Sequence, residues 1–96
     1  MPKYQVTIRF EMNNEFMDLV PEHRIYVNEL IETGVIEHYA VSMETQRSWI
    51  TINAADKNDV EIILQKSPLY RWWIYEIDEL FVLDGQHYRL PELNFN

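Results

Sequence analysis

The apolar residues of this chain switch period from two to 3.6 and back, twice over, and that switching dictates the order of its elements. From Lys3 to Met12, Tyr4, Val6, Ile8, Phe10 and Met12 fall on one side, and Gln5, Thr7, Arg9 and Glu11 on the other. This is the pattern of a half-buried strand. Asn13 and Asn14 open a loop, and Pro21 suits the first turn of a helix, where its missing N–H costs nothing. That helix is expected to run to about Thr33, with Gly34 as the left-handed residue that closes it. Residues 35–43 and 47–53 read as two strands of a hairpin, joined through the polar stretch METQRSW. Asp56, followed by Asp59, is a cap for a second helix carrying Val60, Ile63 and Leu64. Lys66 lies in its last turn, and Ser67-Pro68 stops it. Residues 72–83, rich in aromatic and β-branched types, form the fourth strand.

The order is βαββαβ, a ferredoxin-like α+β arrangement with two helices on one face of a four-stranded antiparallel sheet. Ninety-six residues make one domain, taken here as residues 1–84. Residues 85–96 form a tail without periodicity. Its Tyr88, Leu90, Leu93 and Phe95 are too apolar for a free end, so it is expected to dock at a subunit interface. The uncovered face of the sheet should carry Gln5, Thr7, Arg9 and Glu11 from the first strand and Ile36, His38, Ala40 and Ser42 from the second. Arg47, Trp49 and Thr51 come from the third. On the fourth, Trp73, Tyr75, Ile77, Glu79 and Phe81 should turn to the helices, leaving Glu76 and Asp78 outside as partners for Arg9. A face that mixes Trp49 and Ile36 with charges suits a wet sheet-to-sheet contact, so a homo-oligomer of the dimeric α+β barrel type is expected.

Charge and composition narrow the function classes. Sixteen acidic against eight basic residues argue against nucleic acid and anionic membrane, which reward clustered Lys and Arg. No cysteine is present, which removes disulfides, thiolate nucleophiles and Cys-based zinc sites. The N-terminus enters the first strand directly, without a signal-like pattern, and no apolar run reaches membrane-spanning length. A soluble, cytoplasmic protein is the expectation. Two glycines leave no phosphate loop, no G-x-S-x-G motif occurs, and no His pair has metal-ligand spacing. Neither a cofactor nor a metal is expected.

One residue breaks the apolar pattern. On the first helix His23 falls on the side of Val27 and Leu30, where an imidazole needs a partner or a task.

Two stretches carry a resemblance. SPLYRWWIYEIDEL is similar to the Pro-Leu-aromatic segment that leads into the last strand of muconolactone isomerases. EHRIYVNELIETG, followed by VIEH, resembles the first helix of that family, its glycine stop and a histidine on the second strand. Pro21-Glu22-His23 is also similar to the Pro-x-His that opens the first helix of YCII-related proteins, although the aspartate usually paired with that histidine has no counterpart here. The resemblance implies association through the sheets and a cofactor-independent proton shift on a small oxygen-bearing molecule. Such chemistry needs a group titrating near neutrality and a donor to hold the enolate. It points to His23 and His38 as catalytic residues, and to Tyr26, Tyr39, Arg47 and Trp49 around the substrate. The alternative is a non-enzymatic binding or structural oligomeric module, in which His23 bonds a loop carbonyl and His38 pairs with Glu11 or Glu76. His87, in the tail, is expected to be solvated.

Overall fold

The computed structural model describes residues 1–85. Strand β1 (Lys3–Phe10) leads into helix α1 (Asn14–Glu32), and strands β2 (Ile36–Ser42) and β3 (Arg47–Asn53) form the hairpin. Helix α2 (Lys57–Gln65), a single 3-10 turn (Tyr70–Trp72) and strand β4 (Trp73–Glu79) follow. The sheet order is β2-β3-β1-β4, with every pair antiparallel. This is the ferredoxin-like α+β fold. Val6 and Ile8 of β1 and Ile50 and Ile52 of β3 pack against Val27 of α1 and Val60 and Leu64 of α2, so both helices cover one face. A second cluster, Phe10, Phe16 and Leu69, lies at the end of β1 where α1 begins. The expected tail, apart from Gly85, lies outside the described residues.

Helix α1 starts seven residues before Pro21. Asn13 is its cap: the side-chain oxygen accepts the Phe16 N–H at 2.8 Å. Phe16, Val20, His23, Val27 and Leu30 then keep the three-to-four spacing of a single buried stripe. Pro21 therefore sits inside the helix on its exposed side, and the Met17 carbonyl lacks the N–H it would normally meet four residues on. The far end matches expectation. Gly34 has φ +80°, its N–H bonds the Ile31 carbonyl, and the Val35 N–H reaches back to Leu30 at 2.9 Å. Helix α2 is capped by Asp56, whose carboxylate accepts the Asp59 N–H at 2.8 Å.

Three expectations about the faces of the sheet are corrected. Ile36 is in the core, 3% exposed, because β2 is not regular. Ile36 stands opposite Ile52 while His38 stands opposite Thr51, so Glu37 is the extra residue of a β-bulge. Plain alternation had placed Ile36 beside His38. The bulge carboxylate is held by Lys3 and by the Asn53 amide at 3.1 Å. Strand β4 ends at Glu79, so Phe81, expected to turn inward, is 97% exposed. Arg9 does not pair with Glu76 or Asp78; in register it lies between Arg47 on β3 and Ile74 on β4. Ion pairs among the described residues are Lys3 with Glu37 and Arg71 with Glu15. No helix among those residues is long and apolar enough to cross a membrane.

Candidate functional site

Three elements bring polar groups to one place beneath α1. The buried stripe of α1 carries His23 inward, where it is 3% exposed. The stop of α2 leaves Ser67 buried beside it, and the inward side of β2 brings Tyr39. The His23 Nδ1 lies 2.8 Å from the Ser67 Oγ, and Nε2 lies 2.7 Å from the Tyr39 hydroxyl. The Trp73 indole meets the imidazole edge-on at 5.6 Å between centroids.

Counting donors and acceptors selects one tautomer. The Ser67 Oγ already accepts the Leu69 N–H at 3.1 Å. If Ser67 donates to Nδ1, then Nε2–H donates to the Tyr39 oxygen and the one proton left over is that of Tyr39, which lines the cavity. The Tyr39 proton is then free to point onward. In the opposite arrangement the Ser67 oxygen takes two N–H donors, and its own proton needs a further acceptor in buried surroundings. Burial, and then the positive charge of Arg24, push the His23 pKa down to about 4. The imidazole is therefore neutral near pH 7, as this chain of bonds requires. Burial also raises the Tyr39 pKa, with Arg24 and then Ser48 pulling the other way, so Tyr39 stays a phenol.

Where the Tyr39 side chain emerges, a cavity of about 160 Å³ opens between α1 and the β2–β3 hairpin. Buried Phe10, Phe16 and Leu69 form its apolar floor. Met12, Met17 and Met43 stand exposed at its rim, together with Arg24, whose guanidinium lies over the Tyr39 ring at 5.3 Å. Ser48 also lines it, on the inward side of β3 with Ile50 and Ile52. It is 5% exposed, and its hydroxyl has no partner of good hydrogen-bond geometry among the described residues. An orphaned hydroxyl of this kind costs about 1–3 kcal/mol.

Of the residues singled out from sequence, His23 and Tyr39 meet at this cavity. His38, Arg47 and Trp49 lie on the other face of the sheet, where Ser42 stands opposite Arg47, Ala40 opposite Trp49 and His38 opposite Thr51. Tyr26 ties the helices together: its hydroxyl donates to the Ile63 carbonyl at 2.7 Å. Sequence reasoning missed Ser67, taken only as a helix stop, and it missed Arg24 and Ser48. Ser48 left a signal of the kind His23 gave, a polar residue in phase with the apolar face. Among the described residues, no three His, Asp or Glu side chains gather to hold a metal. No protein-family model matches the chain, and no curated protein shows significant similarity to it.

Proposed function

We propose that the cavity under α1 is a binding site for a small oxygen-bearing organic molecule, with Tyr39 as its principal hydrogen-bond donor. The observation that carries this reading is the bonded chain Ser67–His23–Tyr39, which fixes the phenol in the wall of an apolar cavity. A buried imidazole with both nitrogens engaged orients its neighbour well and has no ring nitrogen left for a ligand. His23 is therefore a positioning residue, and Tyr39 is the group a ligand would meet.

A second reading, the cofactor-independent proton shift of the muconolactone isomerase type, is favoured by the continuity of the same chain. In that reading the imidazole takes the other tautomer, with its proton on Nδ1, so that Nε2 can accept the Tyr39 proton as the Tyr39 oxygen takes one from carbon next to a carbonyl. The reverse transfers return a proton one vinylogous position away. Burial of His23 opposes the imidazolium this needs, so binding without turnover is the better-supported role. We also infer that the open face of the sheet joins a second copy of the chain, in a reducing cytoplasm that suits a cysteine-free sequence.

The test is a panel of small lactones, cyclic keto acids and simple ring compounds, followed through the His23 and Tyr39 ring signals by NMR. The binding reading expects both sets of signals to move, and the His23 signals to lose their response in Tyr39→Phe. In heavy water, exchange of the ligand's α-proton that disappears in Tyr39→Phe would promote the isomerase reading. A panel in which no compound shifts either ring overturns both.

A further inference from the structure

We infer that the ligand of this cavity is a flat, single-ring monocarboxylate, an inference that rests on the binding role proposed above. Its first ground is the polarity of the lining. Apart from His23, whose two nitrogens are engaged, the polar groups there are donors: the Arg24 guanidinium, the Tyr39 hydroxyl and the Ser48 hydroxyl. The chain has sixteen acidic residues, yet none lines the cavity, and Arg24 is its one ionised side chain near neutral pH. A site built from donors, in a protein otherwise rich in acceptors, fits an anion. A carboxylate offers about four lone-pair sites, enough for all three groups.

Arg24 is available for such a ligand. It forms no ion pair among the described residues, and its bond to Asn28 is a long 3.5 Å. Its position over the Tyr39 ring sets the cation beside the phenol, so one carboxylate can meet both. Ser48 supplies the independent observation. Buried, lining the cavity and near the Tyr39 hydroxyl, it has no partner of good hydrogen-bond geometry, and an entering carboxylate oxygen would provide one.

Size and surface define the rest of the molecule. A cavity of about 160 Å³ compares with the ~150 Å³ apolar cavity that accepts benzene. Phe16 and Trp73 offer ring surfaces, and the thioethers of Met17 and Met43 add polarizable contacts that aromatic rings favour. That volume matches one six-membered ring better than a fused pair.

The experiment titrates the full-length chain with benzoate, benzyl alcohol, benzylamine and 2-naphthoate by calorimetry and NMR, up to about 10 mM, where millimolar affinities register. Benzoate is expected to bind at least about tenfold tighter than benzyl alcohol, and benzylamine and 2-naphthoate more weakly still. Arg24→Met should bring benzoate down to the level of benzyl alcohol. Ser48→Ala should weaken benzoate while leaving the free protein as stable or more so, since it removes an unpaired hydroxyl. That pairing of effects separates a ligand contact from a folding defect. Benzyl alcohol binding as tightly as benzoate, or Arg24→Met leaving benzoate unaffected, overturns the anion and leaves the binding role standing. Equal affinity for 2-naphthoate overturns the single ring. If none of the four binds and the wider panel above is also silent, the binding role falls as well.

Discussion

His23 is neutral because it is buried, and this makes it a pH-dependent liability for the fold. In the unfolded chain the imidazole protonates near its ordinary value of 6.5; in the folded protein it resists until about pH 4. Between those values the unfolded state binds the extra proton, so stability falls as pH drops through that window. Below about 4 both states are protonated and the loss levels off, at about 3 kcal/mol. Denaturant midpoints at pH 7 and pH 4.5 should show this loss in the wild type and a shallower one in His23→Gln. A wild-type His23 titration centred near 6.5 would place the ring in water instead. The partners should differ in weight. Ser67→Ala strands both Nδ1 and the Leu69 N–H in the core and should cost about 1–3 kcal/mol. Tyr39→Phe should cost less, because water in the cavity can reach Nε2. Equal melting losses for the two variants would contradict that order.

Among the elements, α1 departs most from sequence expectation, and its two signals show why. Pro21 is a strong punctuation mark, but Asn13 holds the real start through one side-chain bond to Phe16. The proline is tolerated on the exposed side, at the cost of the bond its N–H would have given the Met17 carbonyl. Pro21→Ala is therefore expected to stabilise the protein by about 1–3 kcal/mol in chemical denaturation, net of the extra freedom it gives the unfolded chain. A lower midpoint would show that proline is needed where it stands. Local caps were legible: Asp56 and Gly34 act on amides and carbonyls within a few residues of themselves, so sequence alone locates them. The bulge at Glu37 was not, because a bulge exists only relative to the strand opposite, and Ile36 moved to the core with it. The site was half legible for the same reason. His23 betrayed itself by its phase on the helix, but its tie to Ser67 spans forty-four residues of sequence.

At the scale of the whole molecule, the open face of the sheet carries an arrangement that favours company. Arg9 and Arg47 stand directly opposite one another on neighbouring strands, a repulsive pairing. Glu76 and Asp78 lie on the same face without pairing to them, and Ile74 is 76% exposed. A twofold axis through this face would set the arginines of one copy against the carboxylates of the other, which is the self-complementarity an isologous contact needs. Light scattering at micromolar concentration should report a dimer that dissociates in high salt. Arg9→Glu should separate two effects. It relieves the repulsion from Arg47 and so should stabilise the monomer, while the dimer weakens. A wild-type monomer, or a variant that still dimerises equally well, removes the proposal.

The bonds from Leu69 through Ser67 and His23 to Tyr39 link the exit of α2, the middle of α1 and an edge strand at one buried point. Edge strands and helix ends ordinarily open on their own, each with a small local free energy. Here none of the three can open without unpairing the imidazole. The Leu69 amide, although it lies in a connection, should therefore exchange with solvent deuterium as slowly as amides of the central strands. In Ser67→Ala it should exchange at the faster rate of an ordinary loop.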